Sequence, residues 1–257
     1  MRAIVSICCI VFLAAAPIAA YEGTRIDVPT RPGVTVPVYL LLKNGAAATL
    51  ALLPGGNGAI GRKDEEPSSS DFLVRMREEF LRRGFNVAVV GRPTDIADLD
   101  LPKRRGPDHL TDLHRVVERL KADTAVPVWL VGMSRGTVSA AAAAIAFGSE
   151  DLAGIVLVSS ITSTAMPYTV PRLRLERVQV PVLLVHHEKD ACKIADPDGV
   201  DDILLSLTNA PVAKAVLMKG GWGAWGDPCT SSSWHGYSGV EKKAVDLISG
   251  WIRQPEP

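Results

Sequence analysis

The feature that most constrains the fold of this 257-residue chain is an alternation of short apolar runs with longer helical segments. The apolar runs are rich in Val, Leu and Ala and are bounded by Pro, Gly or polar residues. Continuous apolar runs of this length predict strands that are buried on both faces, as in a parallel sheet. The sequence predicts such strands at residues 34–42, 48–53, 85–90, 127–131, 155–158, 181–185 and 212–218.

Helical segments separate these strands along the whole chain. Asp71 is placed to cap a helix that carries Phe72, Met76 and Phe80 on one face and ends at Gly84. Strands alternating with helices favour a single α/β domain, with a mostly parallel sheet and helices on both faces. The stretch 161–180 is the one notable insertion and is too short to fold as a large cap, although it can flank a site. Further helices are predicted at about 108–121, 135–147, 200–207 and 240–252.

The first twenty residues are typical of a bacterial secretory signal. Arg2 is followed by an uncharged run that ends in small residues at Ala20. We therefore expect residues 1–20 to be a signal peptide and residues 21–257 to form the exported domain, either periplasmic or secreted. An uncleaved anchor helix is the alternative, but the run is barely long enough to span a bilayer and contains Pro17. We expect no stable membrane anchor after cleavage.

Composition excludes several classes of protein. The chain is 47% hydrophobic with a mean hydropathy of +0.17, which a disordered chain would not reach. It carries 28 Lys and Arg against 28 Asp and Glu, so no net basic field exists to attract nucleic acid. The short basic run from Lys103 to Arg105 is interpreted as a solvated loop.

The cysteines support export. Two of the four, Cys8 and Cys9, lie in the predicted signal, which leaves Cys192 and Cys229 in the exported domain. Two cysteines in an oxidising compartment favour a disulfide, which would stabilise the fold by roughly 4 kcal/mol on chain-entropy grounds. Free thiols or a metal pair are the alternatives, and neither cysteine lies in a cluster with metal-ligand spacing.

Ser134 is the candidate nucleophile. It stands at the centre of a G-x-S-x-G sequence, Gly132 to Gly136, between an apolar strand and an alanine-rich helix. A tight turn from strand to helix strains the central residue and lifts its hydroxyl above the edge of the sheet. The N–H groups at the start of the helix favour negative charge beside it. The alternative is an ordinary strand–turn–helix connection that happens to contain a serine.

This context resembles the α/β-hydrolase superfamily, and the resemblance extends from about Val34 to Ile252 through the order of strands, serine turn, acid and base. It implies an eight-stranded, mostly parallel sheet and a catalytic triad in the order nucleophile, acid, histidine. The activity it implies is that of a serine hydrolase, with a carboxylesterase as the default. Such an enzyme acts on a small-molecule acyl substrate and needs no cofactor and no metal.

The triad order selects two further residues. His235 follows the last strand and precedes the last helix, where the superfamily carries its catalytic histidine. Asp190 follows the strand at 181–185 and is the expected acid, with Glu188 as its nearest rival. A base must take the proton of the serine hydroxyl, and an acid must orient that base. We expect activity to fall as His235 becomes protonated.

The neighbouring histidines His186 and His187 raise the alternative of a metal site. Adjacent residues at the end of a strand point in opposite directions, so these two are poorly placed to bind one ion. The cysteines flank the same region, since Cys192 follows Asp190 closely and Cys229 precedes His235. A bridge between Cys192 and Cys229 would therefore tie the acid loop to the histidine loop.

The resemblance also implies an oxyanion hole with two backbone donors. One is the N–H of Arg135, and the other comes from the loop after the second of the predicted strands, at residues 54–58. Many relatives begin this loop with His-Gly, and this chain has Pro-Gly instead. Gly56 or Asn57 then supplies the second donor, and the sequence does not decide between them.

The same loop contains a G-x-G-x-x-G pattern from Gly56 to Gly61. It is not followed directly by a helix, and no acidic residue ends the next strand, so a dinucleotide cofactor is not expected. Tryptophans near His235, with Met166 and Tyr168 of the insertion, are candidates for an apolar wall of the substrate site, or for packing of their loops. The tryptophans are Trp222, Trp225 and Trp234. The alternative to an enzyme is a protein of the same fold that binds a ligand or partner without turnover.

Overall fold

The structure, a computed structural model, describes residues 21–62, 66–223 and 226–257. The predicted signal peptide, with Cys8 and Cys9, and the candidate wall residue Trp225 lie outside the described residues. Within those ranges, no helix combines the length and the hydrophobicity that are needed to cross a bilayer.

Eight strands form one sheet, as the resemblance implied. Their spatial order is β1-β2-β4-β3-β5-β6-β7-β8. The first two strands pair antiparallel with each other, β2 also pairs antiparallel with β4, and all other neighbours are parallel. The strands are β1 Thr24–Arg31, β2 Val34–Leu41, β3 Thr49–Leu53, β4 Asn86–Val90, β5 Val128–Met133, β6 Gly154–Val158, β7 Val182–His187 and β8 Ala213–Met218.

Seven α-helices connect and cover the strands. They are α1 Phe72–Arg75, α2 Arg77–Arg82, α3 Leu101–Arg104, α4 Pro107–Thr124, α5 Gly136–Asp151, α6 Val200–Ser206 and α7 Glu241–Arg253. Asp71 caps α1 as predicted, because its side chain accepts a hydrogen bond from the N–H of Leu73. The predicted helix is divided at Met76, whose backbone (φ −98°, ψ 7°) separates α1 from α2.

Helices cover both faces of the sheet, which confirms the predicted α/β class. On one face, α4, α5 and α6 bury side chains such as Leu113, Val138 and Ile203 against the strands. On the other face, α1, α2 and α7 bury side chains such as Phe72 and Ile248. The central strands are buried along their whole length, which explains why they read as continuous apolar runs.

The parallel register brings four loops to one edge of the sheet. Leu53 pairs with Gly132 across β3 and β5, and Met133 pairs with Val158 across β5 and β6. Val158 in turn pairs with Val185 on β7. The residues that follow these strand ends therefore lie side by side, as is usual for sites in parallel sheets.

Two elements differ from the sequence-based prediction. β1 was not predicted, because it is a half-exposed edge strand with polar residues and Pro29 in place of an apolar run. α3 was not predicted either, and its last residue, Arg104, is 1% exposed. The interpretation of the basic run as a solvated loop is therefore wrong for Lys103 and Arg104, which lie on α3, although the side chains of Lys103 and Arg105 are exposed.

The insertion at 161–180 forms no cap over the sheet. It contains two short 3₁₀ turns, Val170–Arg172 and Leu175–Arg177. Val170, Leu175 and Val178 are buried against the core, so the segment packs down on the domain. Among the described residues, no large lid covers this edge of the sheet.

Candidate active site

Ser134 occupies a strained turn between β5 and α5. Its φ of +52° lies in the left-handed region, which a residue with a β-carbon rarely adopts. The turn is held at both ends, because the N–H of Ser134 donates to the carbonyl of Val158 at 2.9 Å. Its carbonyl accepts from the N–H of Thr137 at 3.0 Å and from the hydroxyl of the same residue at 2.6 Å. These bonds hold the strained turn in place through the backbone N–H and C=O of Ser134. The Ser134 hydroxyl takes no part in them.

Glycines on either side of Ser134 allow the backbones to touch. A β-carbon placed on Gly136 would lie 2.0 Å from the carbonyl oxygen of Leu53. One placed on Gly132 would lie 2.4 Å from the carbonyl oxygen of Gly136. Both distances are far below contact, so no other residue fits at either position. The pentapeptide motif is thus required by the close approach of β3, β5 and α5.

Asp190 and His235 form a buried hydrogen-bonded pair. The Nδ1 atom of His235 lies 2.7 Å from Oδ2 of Asp190, and both residues are almost completely buried. The other carboxylate oxygen accepts the N–H of Cys192 at 3.0 Å. Because Oδ2 is an acceptor, the bond fixes the proton of the imidazole on Nδ1 and leaves the lone pair on Nε2.

A second histidine contacts the same carboxylate. Nε2 of His186 lies 3.2 Å from Oδ2 of Asp190 and 2.8 Å from the carbonyl oxygen of Ala195. Burial alone would raise the pKa of Asp190, but the hydrogen bonds from His186 and His235 outweigh it and lower that pKa to about 2. Asp190 is therefore ionised at any pH at which the protein works. The rival acid, Glu188, instead lies 3.6 Å from Lys219.

The histidine loop is anchored to the sheet through its backbone. The carbonyl of His235 accepts a hydrogen bond from the hydroxyl of Ser159 at 2.9 Å. Its N–H donates to the hydroxyl oxygen of Ser233 at 3.0 Å. Two residues further on, the hydroxyl of the buried Tyr237 donates to the carbonyl of Val185 at 2.7 Å. These bonds attach the loop to the ends of β6 and β7, where Asp190 begins its own loop.

The structure contains a disulfide between Cys192 and Cys229, which are 37 residues apart. Cys192 is buried and directly follows the backbone turn that holds Asp190. Cys229 lines the same cavity as His235. The bridge therefore links the acid loop to the histidine loop.

Ser134 and His235 face one cavity of about 250 Å³ at the carboxyl edge of the sheet. Ser134 is half-buried, so its hydroxyl is accessible. Among the described residues, no hydrogen bond joins the Ser134 hydroxyl to His235, so the two residues line the same cavity without a direct hydrogen bond. The cavity is lined by Gly55, Gly56, Asn57, Ala59, Ser69, Ser70, Asp71, Met133, Ser134, Cys229, Thr230, Ser231 and His235.

Comparison with known proteins identifies the architecture. The sequence matches no protein-family model and no curated protein. Among solved structures, it is similar to an esterase of Pyrococcus furiosus (TM-score 0.64, 13% identity, 91% of this chain and 93% of that one). It is also similar to dienelactone hydrolase of Anabaena variabilis (TM-score 0.65, 18% identity, 90% and 96%). A third is a Xanthomonas campestris α/β serine hydrolase without lid (TM-score 0.58, 19% identity, 93% and 95%). The chain has the α/β-hydrolase fold.

Within the α/β-hydrolase fold, the loop after β3 is the expected source of an oxyanion donor. The N–H of Gly55 is already used, since it donates to Oδ2 of Asp71 at 2.9 Å. Further along, Gly58 donates to the carbonyl of Gly55. Gly56 and Asn57 line the cavity, and no backbone acceptor in the described parts of the chain takes their N–H groups. Both predicted donors are therefore free, whereas Arg135 adjoins Ser134 without lining the cavity.

Of the two roles left open for the tryptophans, Met166 and Tyr168, the described residues do not form an apolar wall of the cavity. Trp222 is 64% exposed, and Trp234 stacks on His187 with ring centroids 6.1 Å apart. Met166 packs against the core instead, and Tyr168 is also absent from the cavity lining. Hydroxyl and backbone groups line the site in their place, because the histidine loop presents Thr230 and serines toward it.

The remaining histidines take no part in the cavity. Nε2 of His187 lies 2.8 Å from the carbonyl oxygen of Gly220, on the opposite side of the strand from His186, as alternation predicts. His109 and His114 lie on α4, where they contact Ser139 and Asp151. In residues 21–62, 66–223 and 226–257, no group of three or more acidic, His or Cys side chains is arranged to hold a metal ion.

Sequence reasoning missed three residues that shape the site. Asp71 was predicted only as a helix cap, yet it also binds Gly55 in the loop at residues 54–58, which we call the oxyanion loop after its predicted role. His186 was considered for metal binding, yet it contacts Asp190. Arg104 was expected in solvent, yet it binds the carbonyls of this loop. No local pattern marks these roles, because each depends on segments that are distant in sequence.

Proposed function

We propose that the protein is a serine hydrolase, and most specifically a carboxylic-ester hydrolase that acts through a covalent acyl-enzyme. The observation that carries this proposal is the buried Asp190–His235 hydrogen bond opening on the cavity that Ser134 also lines. Acyl transfer needs an accessible serine, a histidine with its proton on Nδ1 and an ionised acid, all close together. Ser134, His235 and Asp190 meet these needs at one edge of the sheet.

In the acylation step, the Ser134 oxygen attacks the carbonyl carbon of the ester. Nε2 of His235 takes the hydroxyl proton, since Asp190 already holds the proton on Nδ1. The resulting imidazolium lies against a carboxylate whose pKa of about 2 keeps it negative. His235 must close on Ser134 in this step, and such contacts often tighten only when substrate is bound.

The negative charge that develops on the carbonyl oxygen needs donors in fixed positions. Gly56 and Asn57 line the cavity, no backbone acceptor in the described chain takes their N–H groups, and the N–H of Arg135 stands at the start of α5. Donors of this kind are worth more inside a cavity than in water because they need no reorganisation. This arrangement supports all three predicted residues as oxyanion donors.

Breakdown of the tetrahedral intermediate completes the first half of the reaction. The bond to the leaving alkoxide breaks, and His235 gives its proton to that oxygen, which releases an alcohol. Water then attacks the ester carbon on Ser134, with His235 again taking the proton. The acid is released, and the Ser134 hydroxyl regains its proton from His235.

The lining of the cavity favours small, polar acyl esters. Its volume of about 250 Å³ lies below the range usual for drug-sized ligands. Hydroxyl groups of Ser69, Ser70, Thr230 and Ser231 surround the nucleophile, and no aromatic side chain of the described residues lines it. These hydroxyls already have partners within the chain, as in the bonds of Ser70 to Ser231 and of Thr230 to the carbonyl of Asp227. A polar alcohol would add hydrogen bonds to them, whereas a long alkyl chain would place apolar surface against polar groups.

The solved structures that share this fold include an esterase and a dienelactone hydrolase, which agrees with hydrolysis of a carboxylic ester. We further propose that residues 1–20 direct export and that residues 21–257 act in an oxidising compartment. The disulfide between Cys192 and Cys229 supports this location.

The test is hydrolysis of p-nitrophenyl acetate, butyrate and octanoate by residues 21–257 with the disulfide intact. We expect turnover that falls with acyl length and is lost in Ser134→Ala and His235→Ala. Ser206→Ala and His114→Ala are matched controls, since both residues lie outside the cavity, on α6 and α4. Binding of esters without any release of p-nitrophenol would instead favour a ligand-binding protein.

A further inference from the structure

Arg104 is a fully buried cation without an anionic partner. It is 1% exposed, and no carboxylate among the described residues forms an ion pair with it. Its Nε donates to the carbonyl of Leu99 at 2.9 Å, and its Nη1 donates to the hydroxyl of Ser139 at 3.2 Å. Burying an unpaired charge is unfavourable unless hydrogen bonds satisfy it. The buried position of Arg104 therefore points to a role in the structure or in the site.

The third nitrogen of Arg104 binds the oxyanion loop. Nη2 lies 3.0 Å from the carbonyl oxygen of Pro54, 3.3 Å from that of Gly55 and 3.2 Å from that of Gly56. Three consecutive carbonyls therefore converge on one guanidinium. This contact joins α3 to a loop that lies about fifty residues earlier in the chain.

The direction of these carbonyls fixes the direction of the opposite N–H groups. The described peptide bonds are all trans, and in a trans peptide the C=O and the following N–H point to opposite sides. Carbonyls of residues 54, 55 and 56 that face Arg104 therefore turn the N–H groups of Gly55, Gly56 and Asn57 away from it. That side of the loop is the side that Ser134 contacts, since a β-carbon on Gly55 would lie 2.9 Å from the β-carbon of Ser134.

Asp71 accounts for the first of these three N–H groups. Its Oδ2 accepts the N–H of Gly55, and its Oδ1 accepts that of Leu73. The loop is thus held between a buried carboxylate on one side and a buried guanidinium on the other. The N–H groups of Gly56 and Asn57 are left to face the cavity without a backbone partner in the described chain.

We propose that Arg104 is a positioning residue that orients the N–H groups of Gly56 and Asn57 toward the oxyanion formed at Ser134. The proposal rests on the proposed function of the site. Arg104 does not touch the reacting atoms, because the peptide units that it binds lie between its guanidinium and the cavity. Its charge also polarises those peptide units, which makes their N–H groups stronger donors.

The planar guanidinium suits this task better than an ammonium group. It has five donors in a rigid fork, and here its three nitrogens reach five oxygen atoms on three segments of the chain, with the two N–H groups of Nη2 shared among three carbonyls. Ser139 holds one branch of the fork and also lies 2.9 Å from Nε2 of His109. Burial and the charge of Arg104 lower the pKa of His109 to about 3, so no second cation forms beside it at neutral pH.

The experiment compares the oxidised wild-type protein with Arg104→Lys, Arg104→Met and the control Arg105→Met. Arg105 is the exposed neighbour of Arg104 on the same segment, and its guanidinium lies over the ring of Tyr168. For each protein we would measure kcat and KM for p-nitrophenyl acetate, and inhibition by butylboronic acid, which forms a tetrahedral adduct on an active serine. We would also measure amide hydrogen exchange of residues 53–60, which reports on the loop, and urea unfolding, which reports on the stability of each variant.

We expect Arg104→Met to lower kcat about 100-fold and Arg104→Lys about 10-fold, with KM nearly unchanged, because an oxyanion donor acts in the transition state. Inhibition by butylboronic acid should weaken in parallel. Exchange should become faster in residues 53–60 while the other segments keep their protection. Arg105→Met should behave as wild type in every measurement.

A folded Arg104→Met protein with wild-type kcat, or with a loss confined to KM, would overturn the proposal. If Arg104→Met does not fold, Arg104→Lys decides by the same criteria, since it keeps the buried charge. If the wild-type protein hydrolyses no ester, the proposed function is wrong. Hydrogen exchange of residues 53–60 still tests whether Arg104 holds the loop. Unchanged exchange of residues 53–60 in both variants would then overturn the positioning role.

Discussion

Oδ2 of Asp190 lies 2.7 Å from Nδ1 of His235, although 45 residues separate them in the chain. The loop that carries His235 is anchored to the end of β6 by a hydrogen bond from the Ser159 hydroxyl, and the disulfide between Cys192 and Cys229 joins it to the loop that carries Asp190. The bond is therefore held by the fold around it and does not depend on the pair alone. It sets which nitrogen of His235 is available to Ser134, and the first prediction follows from that constraint.

Asp190→Asn should lower kcat by about 10³–10⁴-fold in a protein that still folds at neutral pH. An amide at this position can donate a proton to Nδ1, which would place the imidazole proton on Nε2 and remove the base for Ser134. The control is Glu188→Gln, because Glu188 is the neighbouring acid and contacts Lys219 instead. Kinetics with p-nitrophenyl acetate would check both variants, and a larger loss in Glu188→Gln would show that the acid is misassigned.

Asp190 should also make stability depend on pH in the acid range. Its pKa is lowered to about 2 in the folded protein, against about 3.9 for an unfolded chain. Because the folded pKa is the lower one, this carboxylate stabilises the fold above about pH 4, and the contribution of about 2–3 kcal/mol disappears as the pH falls toward 2.

Urea unfolding at pH 6 and at pH 2.5 would measure this effect. The wild-type protein should lose more free energy of unfolding between the two pH values than Asp190→Asn does. Equal losses in the two proteins would mean that Asp190 is not held as an ion by His186 and His235.

Reduction of the disulfide should lower activity before it unfolds the sheet. The bridge closes a loop of 37 residues, for which the chain-entropy estimate is about 4 kcal/mol. The loops that it joins carry Asp190 and His235, so their relative position should loosen first. Esterase activity and far-ultraviolet circular dichroism would be followed together as dithiothreitol is raised.

The matched control is the double variant Cys192→Ser and Cys229→Ser, which has no bridge to reduce. It should show the lowered activity of the reduced protein and no response to dithiothreitol. Full activity in this variant would show that the disulfide is not needed to hold Asp190 and His235 in position.

Much of the architecture is predictable from sequence because the central strands are buried on both faces. Strands such as β5 and β6 therefore appear as continuous apolar runs, and the turn at Ser134 is marked by its glycines. The edge strand β1 escapes prediction for the opposite reason, since only one of its eight residues, Val28, is buried. A continuous apolar run therefore marks a buried strand, whereas an exposed edge strand lacks such a run.

The candidate site is less predictable than the fold. Chain order was enough to select Asp190 and His235, because the ends of β7 and β8 determine where their loops begin. The burial of Arg104 has no local signature, since it depends on three carbonyls of a distant loop. The sequence left the role of the tryptophans open for a similar reason: the path of the loop, and not its composition, decides that Trp222 faces solvent.

Gly136→Ala should destabilise the fold by at least about 3 kcal/mol, the upper end of the usual cost of overpacking. The new methyl group would lie 2.0 Å from the carbonyl oxygen of Leu53, and backbone on both sides prevents relief. Gly250→Ala is the matched control, because nothing lies within 4 Å of a β-carbon there on α7. Urea unfolding should show this control to be more stable than wild type by about 0.5–1 kcal/mol.

The central claim is that Ser134 is an activated nucleophile. The most direct test is to treat oxidised residues 21–257 with a fluorophosphonate and to map the modified peptide by mass spectrometry. We predict a single modification on Ser134 that is lost in His235→Ala and retained in His114→Ala. A folded protein with its disulfide intact that reacts nowhere, or that reacts equally after His235→Ala, would contradict the account.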